Sequence, residues 1–434
     1  MTNLKFVLTV TLFFCVLPCL AKHNGDYLNK ITTKYITPHL TWAKPLGDRK
    51  ITCLFLVGRH GAREVVELWQ RLDIDFDGFT TWWPGELAKE DMYEAAIEGT
   101  SNREKKAEIL AKLEKNFDAI VISCGFDILP AEARVKILEK AYNGTGLIFF
   151  NPNNSIDRIY KKVFIEKLDA GEAFIGAPTE GIPGLGKNFF KGYKYGNGRI
   201  LIMSGGSMGG WSGYYGGTSL TVPETYSRFW KAHYENNMVA IAKALLWVTK
   251  RQPSCFISQQ SFTNGESFDQ SSLPKELQFT LVGRQNENYQ IMLRLRDEWN
   301  KVVEEKNVKI KMSQSQVNIP YTVAFLKSGK YYLDYIVRNG KNIVLDFGYS
   351  AFTIVSPIGN ASILTEKNYY DKGEKISGTL EIENPLQENA SVAVQIVDSP
   401  SERVWYRKVL ALEPGQKQLH FEFPLTEFPT LYGY

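Results

Sequence analysis

The hydrophobic pattern of this chain changes its period near residue 270, and that change limits the folds open to it. Between about residues 50 and 255, apolar runs such as Ile51–Val57 and Leu147–Phe150 alternate with stretches whose apolar residues recur at helical spacing, such as Ala62–Leu72. Continuous apolar runs are typical of parallel strands buried on both faces. Strands that alternate with helices predict an α/β domain built on a doubly wound parallel sheet. Further strands are predicted at Phe76–Trp83, Phe117–Ser123 and Arg199–Met203, and further helices at Asn102–Asn116, Pro130–Asn143 and Arg228–Val248.

After residue 270, apolar and polar residues alternate, which is the pattern of half-buried strands. Tyr331–Val337 and Ile343–Phe347 show this alternation, and Asn339-Gly340 between them is a hairpin signal. Residues 375–424 repeat the pattern, so we predict an all-β region made of two immunoglobulin-like sandwich modules. One short helix is expected in this region, near Met292–Trp299.

These patterns predict an order of segments along the chain. The expected segments are a signal peptide at 1–21, an N-terminal extension at 22–49, the α/β domain at 50–258, a linker at 259–274, a first sandwich at 275–356 and a second at 357–434. The linker is inferred from its content of Ser, Gln, Asn and Gly. Few strands are predicted after Phe423, so we expect further chain or a separately encoded hydrolase domain to accompany the second sandwich.

The first 21 residues indicate export. Lys5 is followed by the apolar run Phe6–Leu17, and Pro18 precedes Cys19-Leu20-Ala21, which offers a cleavage site after Ala21. A lipid-anchored form that uses Cys19 is the alternative. Because no later apolar stretch reaches about 18 residues, we expect no membrane span. The formal net charge of +4 is small for 434 residues and predicts no nucleic-acid partner.

The cysteine content argues against a disulfide scaffold. Cleavage after Ala21 would leave Cys53, Cys124 and Cys255, which are scattered along the chain. Cys53 lies inside an apolar run and is interpreted as a small buried hydrophobic residue. The sequence contains no Cys-x-x-Cys or His-x-x-x-His spacing, so we expect neither a metal site nor a cofactor.

Several segments of the α/β region carry a resemblance to a known family. They are the strand Phe117–Ser123, the helix Pro130–Glu139, the run Asn143–Phe150 and the helix Phe229–Trp247. They resemble the class I glutamine amidotransferase-like superfamily, in its exported branch found beside carbohydrate-active modules. Lys375–Phe423 is similar to the sandwich modules that precede glycoside-hydrolase-like barrels in such proteins. The resemblance implies a flavodoxin-like sheet and, in true members, a Cys–His–Glu triad whose thiolate attacks the side-chain amide of glutamine.

The family's nucleophile sits in a Gly-x-Cys-x-Gly turn, and the resemblance places that turn at Asn151–Ser155, where this chain has no cysteine. The remaining candidates for a triad are Cys124, at a strand end, and the His-x-Glu pair of His233 and Glu235. A histidine at about 3 Å can activate a thiol. The interpretation we favour is a half-buried cysteine and ordinary helix-surface residues, because side chains two apart on a helix point in different directions.

A second candidate site follows from the sheet, because doubly wound sheets bind ligands at the carboxyl ends of their strands. The segment Gly205–Gly217 is rich in glycine, which lets the backbone approach a ligand closely, and in aromatic residues that suit the apolar faces of sugars or bases. The candidate ligand-binding residues are Arg59, His60, Trp82, Trp83, Asp127, Trp211, Tyr214 and Tyr215. The alternative interpretation is that the aromatic residues pack as core and that the arginine pairs with an acidic neighbour.

Two classes of function remain. The first is an exported, non-catalytic binding or scaffolding protein, a pseudoenzyme that binds carbohydrate or a small polar ligand. The second is an enzyme: a Cys-dependent amide hydrolase using Cys124, His233 and Glu235, or the N-terminal portion of a glycoside hydrolase. Residues 22–434 show no eightfold strand–helix repeat that could form the barrel of such a hydrolase. Because the expected turn lacks its cysteine, the sequence favours the first class.

Overall fold

The structure is a computed structural model. It describes Thr33, Ile36 and residues 39–58, 62–81, 102–124, 126, 129–150, 163–164, 166–174, 176–178, 190–203, 232–251, 253–261, 264–269, 273–322, 326–355, 361–371, 373–387, 389–397 and 404–424. The predicted signal peptide at 1–21 and its cleavage site lie outside these residues.

The first half of the chain forms a sheet in which parallel strands predominate. Its elements are β1 Ile51–Gly58, α1 Ala62–Arg71, β2 Ile74–Thr81, α2 Asn102–Glu114, β3 Ala119–Ile122, α3 Ala131–Tyr142, β4 Gly146–Phe150, β5 Glu166–Leu168, β6 Phe190–Tyr195, β7 Gly198–Met203 and α4 Ala232–Val248. Within the described residues the strand order is β2-β1-β3-β4-β7-β6-β5. Neighbours from β2 to β7 pair in parallel, whereas β6 and β5 add antiparallel edge strands that the sequence analysis did not predict.

Successive residues of β1 point to opposite faces of this sheet, as strand geometry requires. Cys53, Phe55 and Val57 belong to the core that α1 and α4 cover. Leu54 and Leu56 belong to the core that α2 and α3 cover. Both faces are therefore buried, as the continuous apolar run of β1 predicts.

Further sheets follow, in which most of the described pairings are antiparallel, as predicted. One contains β8 Phe256–Gln260, β10 Glu276–Val282 and β13 Gln316–Thr322; the other contains β9 Glu266–Asp269, β11 Asn288–Asp297, β12 Val302–Lys311, β14 Gly329–Asn339 and β15 Val344–Val355. The described strands of the second sheet lie in the order β12-β11-β14-β15-β9. The pairing between β15 and β9 is parallel.

One sequence prediction in this region is wrong. The expected helix near Met292–Trp299 is not formed: Met292–Asp297 belongs to β11, which pairs with β12 on one side and β14 on the other, and Trp299 lies in the turn that follows. Those ladders satisfy the backbone polar groups that a helix would pair internally. The segment predicted as a linker, 259–274, contains the end of β8 and all of β9.

The described residues fall into two compact units. The first unit contains the described residues of Met1–Gly265, Glu276–Thr322 and Tyr331–Ala351. The second unit contains those of Glu266–Lys275, Val323–Lys330 and Phe352–Tyr434. The parallel-rich sheet and most of the first antiparallel strands, which the sequence assigns to separate modules, therefore share one unit.

Helix α4 joins the two sheet layers of the first unit. Every residue from 235 to 248 is buried, so the helix has no solvent-exposed face over that length. Its apolar residues share one core with β1, β4 and β7 on one side and with Met292, Tyr332 and Phe347 of the antiparallel sheet on the other. Among the helices of the described residues, none has the length and apolar character needed to cross a bilayer.

The second unit contains a small β-rich core. β16 Ala361–Thr365, β17 Lys375–Ile382 and β20 Gln418–Pro424 form one antiparallel sheet, and β18 Ala390–Val397 pairs with β19 Val404–Leu412. Exposed and buried residues alternate along β20, which confirms the two-residue period predicted there. The apolar cluster of this unit includes Leu380, Leu412 and Phe421.

The packing of α4 on β4 gives a testable prediction. A Cβ atom built at Gly146 would lie 2.7–2.8 Å from side-chain and backbone atoms of Val248 at the end of α4. We expect Gly146→Ala to lower the free energy of unfolding by about 1–3 kcal/mol, the usual cost of overpacking a core. Gly340→Ala is the matched control, because nothing lies within 4 Å of a Cβ there. Equal chemical-denaturation curves for the two variants would contradict this packing.

Candidate functional site

All eight residues predicted to bind a ligand fall outside the described part of the chain. These are Arg59, His60, Trp82, Trp83, Asp127, Trp211, Tyr214 and Tyr215, and the turn at Asn151–Ser155 lies outside it as well. Their role as a ligand site at the carboxyl ends of the parallel strands stays a prediction.

Cys124 is described, and it is a core residue. It lies just after β3, and its backbone N–H donates to the carbonyl oxygen of Leu56 at 3.3 Å. Its side chain is 4% exposed and belongs to the core under α2 and α3, together with Phe126 and Phe149. The expectation of a half-buried cysteine is therefore corrected, because the neighbouring aromatic residues cover this strand end.

Glu235 lies on the other face of the sheet. It sits in the first turn of α4, the helix that packs on the face opposite α2 and α3, and it is 2% exposed. It is thus a buried residue rather than the helix-surface residue expected. His233 lies in the same turn of backbone, and its side chain is outside the described residues. The structure does not bring Cys124 and Glu235 together.

The carboxylate of Glu235 binds groups from two other elements. Arg71, at the end of α1, donates from Nη2 to Oε1 at 2.5 Å and from Nε to Oε2 at 2.8 Å. The indole Nε1 of Trp42 donates to Oε2 at 3.0 Å. Burial opposes ionisation of Glu235, but the hydrogen bonds and charge of Arg71, with help from Trp42 and Arg296, outweigh it and lower the pKa of this carboxyl group.

Trp42 connects this ion pair to the antiparallel sheet. The guanidinium carbons of Arg294 and Arg296 in β11 lie 5.2 and 5.6 Å from the centre of the indole ring, within cation–π range. Asp334 in β14 accepts hydrogen bonds from both arginines: from Arg296 at 2.6 and 2.7 Å, and from Arg294 at 2.9 Å.

We call this group the Trp42 cluster; its members are Trp42, Glu67, Arg71, Glu235, Arg294, Arg296 and Asp334. Glu67 belongs to it because its carboxylate binds Arg71 at 2.8 Å. Its three arginines balance its three carboxylates, so no net charge is buried. All its members are at most 5% exposed. The cluster is a structural ion network that links α1, α4, β11 and β14.

A second buried ion pair lies further along α4. Lys243 Nζ is 2.6 Å from Oδ1 of Asp346 in β15, and both side chains are at least 94% buried. The other carboxylate oxygen of Asp346 accepts a hydrogen bond from the Tyr335 hydroxyl at 3.3 Å and a weak one from Ile257 N–H at 3.4 Å. Burial, followed by the charge of Asp346, raises the pKa of Tyr335 well above its usual value, so the phenol stays protonated and can donate.

A cavity of about 220 Å³ adjoins this pair, and we call it the junction cavity. It lies between the short 3₁₀ helix Gly171–Phe174, α4, and the ends of β8 and β15. Its lining residues are Glu172, Ala173, Lys243, Leu246, Trp247, Arg251, Pro253, Phe256 and Asp346. It therefore combines a largely apolar wall with a few charged groups, the usual composition of a small-ligand site.

The described residues offer little for nucleophilic chemistry. Burial raises the pKa of Cys53 well above the usual thiol value and that of Cys255 to about 12, so both thiols stay protonated at neutral pH. No group of three or more His, Cys, Asp or Glu side chains in this part of the chain is placed to hold a metal ion. The buried charges described above pair with one another within the core.

Sequence reasoning missed the residues at the centre of this arrangement. Trp42 lies in the segment treated only as an extension, and Arg294 and Arg296 lie in the expected helix. One signal was available, because the sequence Leu293-Arg-Leu-Arg296 places two arginines on one face of an apolar strand. Buried arginines require a buried carboxylate, and Asp334 within the apolar run Tyr331–Val337 was the available candidate.

Comparisons with known proteins do not assign this chain to a family. No protein-family model and no curated protein matches the chain. Three solved structures resemble parts of it: CopC from Methylosinus trichosporium OB3b at 15% identity and TM-score 0.19, dimeric latent PorU from Porphyromonas gingivalis at 15% and 0.16, and alpha-2-macroglobulin from E. coli at 8% and 0.21. The matches cover 27%, 40% and 41% of this chain, and 99%, 16% and 15% of those chains. Similarities this low carry no conclusion about fold or function.

The Trp42 cluster predicts a pH-dependent loss of stability in Glu235→Gln. The pKa of Glu235 is lower in the folded protein than the value of about 4.3 usual for an unfolded chain. The ionised carboxylate therefore stabilises the fold above about pH 4.3, and this contribution disappears as the pH falls through the lowered pKa. We expect the variant to be about 3–5 kcal/mol less stable at pH 7, with a gap that narrows in acid.

The matched control is Glu166→Gln, whose salt bridge to Lys194 is more than half exposed on both sides. That variant should lose less than about 1 kcal/mol. Urea denaturation of the three proteins between pH 7 and pH 3 measures both effects. An equal loss in the two variants, or a gap that stays constant in acid, would contradict the assignment.

Proposed function

We propose that this protein is an exported, non-catalytic binding or scaffolding protein whose α/β layer derives from the class I glutamine amidotransferase-like fold. The observation that carries the proposal is that Glu235 is buried and bound by Arg71 and Trp42. Both of its carboxylate oxygens bind Arg71, and one also binds Trp42. An acidic residue of a catalytic triad must instead orient a histidine beside the nucleophile.

The position of Cys124 supports the same proposal. A nucleophilic thiol has to meet both its base and its substrate, whereas Cys124 is covered by core residues on the sheet face away from Glu235. Since the turn at Asn151–Ser155 contains no cysteine either, the proposal treats the chain as a pseudoenzyme.

The order of the parallel strands supports the finer proposal of a flavodoxin-like sheet. Such sheets begin in the order 2-1-3-4, and β2-β1-β3-β4 has that order here. The same rule places a ligand crevice beyond the carboxyl ends of β1 and β3. The antiparallel strands are proposed to form immunoglobulin-like modules that hold this layer and present it to partners.

The proposed ligand is a carbohydrate or another small polar molecule. Its support is the sequence of Gly205–Gly217, in which Trp211, Tyr214 and Tyr215 stand among glycines. The predicted signal peptide supports export, with cleavage after Ala21, because its apolar run is followed by a small residue at the cleavage position.

The absence of amide hydrolysis can be measured directly. We expect purified protein to release no more ammonia from L-glutamine than a blank without protein, because Cys124 is buried in the core on the sheet face away from Glu235. Iodoacetamide should leave Cys124 unmodified in the folded protein and modify it after denaturation, since the side chain is 4% exposed. Ammonia release that Cys124→Ser abolishes and Cys255→Ser retains would overturn the proposal.

Sugar binding by the aromatic segment can be tested on a glycan array. We expect wild-type protein to bind at least one glycan and Trp211→Ala to lose about tenfold or more of that signal, since a stacked aromatic ring supplies much of a sugar site's contact area. Trp299→Ala is the matched control, because Trp299 is an exposed tryptophan in the turn between β11 and β12. A signal that both variants retain equally would contradict a role for this segment.

A further inference from the structure

The junction cavity lies near the amino ends of the parallel strands, whereas the predicted ligand crevice lies beyond their carboxyl ends. Arg251, which lines it, donates to the carbonyl oxygens of Arg49 and Lys50 just before β1. The same guanidinium reaches Asp118, the residue before β3, at 3.1 Å. The cavity therefore belongs to the amino ends of the strands, and its occupant would be independent of Trp211.

The ion pair at this cavity has hydrogen-bonding capacity left over. An ammonium group can donate three hydrogen bonds. Within the described part of the chain, Lys243 has one hydrogen-bond acceptor, Asp346 Oδ1, and its Nζ lies 5.0 Å from the centre of the Phe347 ring. Asp346 Oδ1 accepts the bond from Lys243, while Oδ2 accepts those from Tyr335 and Ile257. A carboxylate can accept about four hydrogen bonds, so one site remains.

A hydroxyl group matches both remaining sites, because it is a donor and an acceptor at once. It can accept from the ammonium of Lys243 and donate to the carboxylate of Asp346. A carboxylate ligand would face Asp346 with like charge, and an ammonium ligand would face Lys243 in the same way.

The charges of the lining residues disfavour a charged ligand. Two cations, Lys243 and Arg251, and two anions, Glu172 and Asp346, line the cavity, so their formal charges sum to zero and offer no net attraction to an ion. Leaving a charge uncompensated in a buried site is costly. The rest of the wall, formed by side chains such as Leu246 and Phe256, offers apolar surface to C–H groups.

We infer that the junction cavity binds a small neutral polyhydroxylated molecule, a single sugar ring or cyclic polyol, with one hydroxyl bridging Lys243 and Asp346. The volume of about 220 Å³ is below the range of about 300–1,000 Å³ usual for drug-sized ligands, which favours one ring over a chain. The inference names a ligand class for the proposed binding function and so rests on it, but it uses a separate site.

Isothermal titration calorimetry with D-glucose and with myo-inositol tests the inference. Saturable binding of at least one probe to wild-type protein is expected. Ala173→Leu should weaken it tenfold or more, because Ala173 lines the cavity and the larger side chain takes up part of its volume. Ala393→Leu, the same substitution at an exposed position of β18, should bind as wild type does. If Ala173→Leu does not fold, Leu246→Phe narrows the same cavity from α4.

Three outcomes would overturn the inference. They are no binding of either probe, binding that the cavity-filling variant leaves unchanged, and tighter binding of acetate than of both probes. A Trp211-dependent glycan signal combined with no binding of D-glucose or myo-inositol in the cavity would overturn this inference alone. The proposed binding function would then remain, with the aromatic segment as its site.

Discussion

The burial of α4 on all sides is the constraint on which the first unit depends. That helix carries Glu235 and Lys243 into the core, where a charge is tolerated only if it is paired and hydrogen-bonded. The partners come from both layers: Arg71 from the helix that covers the parallel-rich sheet, and Asp346 from the antiparallel sheet. Trp42 lies between Glu235 and the arginines of β11, so one segment near the N-terminus links the two layers. Separating the layers would leave several buried charges without partners.

In this arrangement the buried acidic and basic side chains of α4 form contacts with elements of both layers. The carboxylate of Glu235 is held by Arg71 and by the indole of Trp42, and Cys124 packs on the other face of the sheet. The Lys243–Asp346 pair lines the junction cavity, and among the described residues it keeps unused hydrogen-bond donors on Lys243 and one unused acceptor site on Asp346.

The sequence predicts the fold better than it predicts the site. The apolar run of β1 and the two-residue period of β20 are local signals, and the structure contains both strands. The strand character of β11 depends on pairing with β12 and β14, which lie further along the chain, so local spacing suggested a helix. Trp42 could not be recognised as a core residue, because its partners Glu235 and Arg294 are about 190 and 250 positions away. Contacts across that distance follow from how the layers pack, which no local pattern encodes.

Native-state hydrogen exchange tests the central claim, that buried ion pairs around α4 make the two layers one cooperative unit. If they do, the slowest amides of β1, α4 and β14 should exchange through openings of the same free energy, and denaturant should lower that energy equally for all three elements. Amides of β14 that exchange through an opening of clearly lower free energy, while β1 and α4 remain protected, would contradict it. That result would mean that the antiparallel layer detaches without disrupting the parallel one.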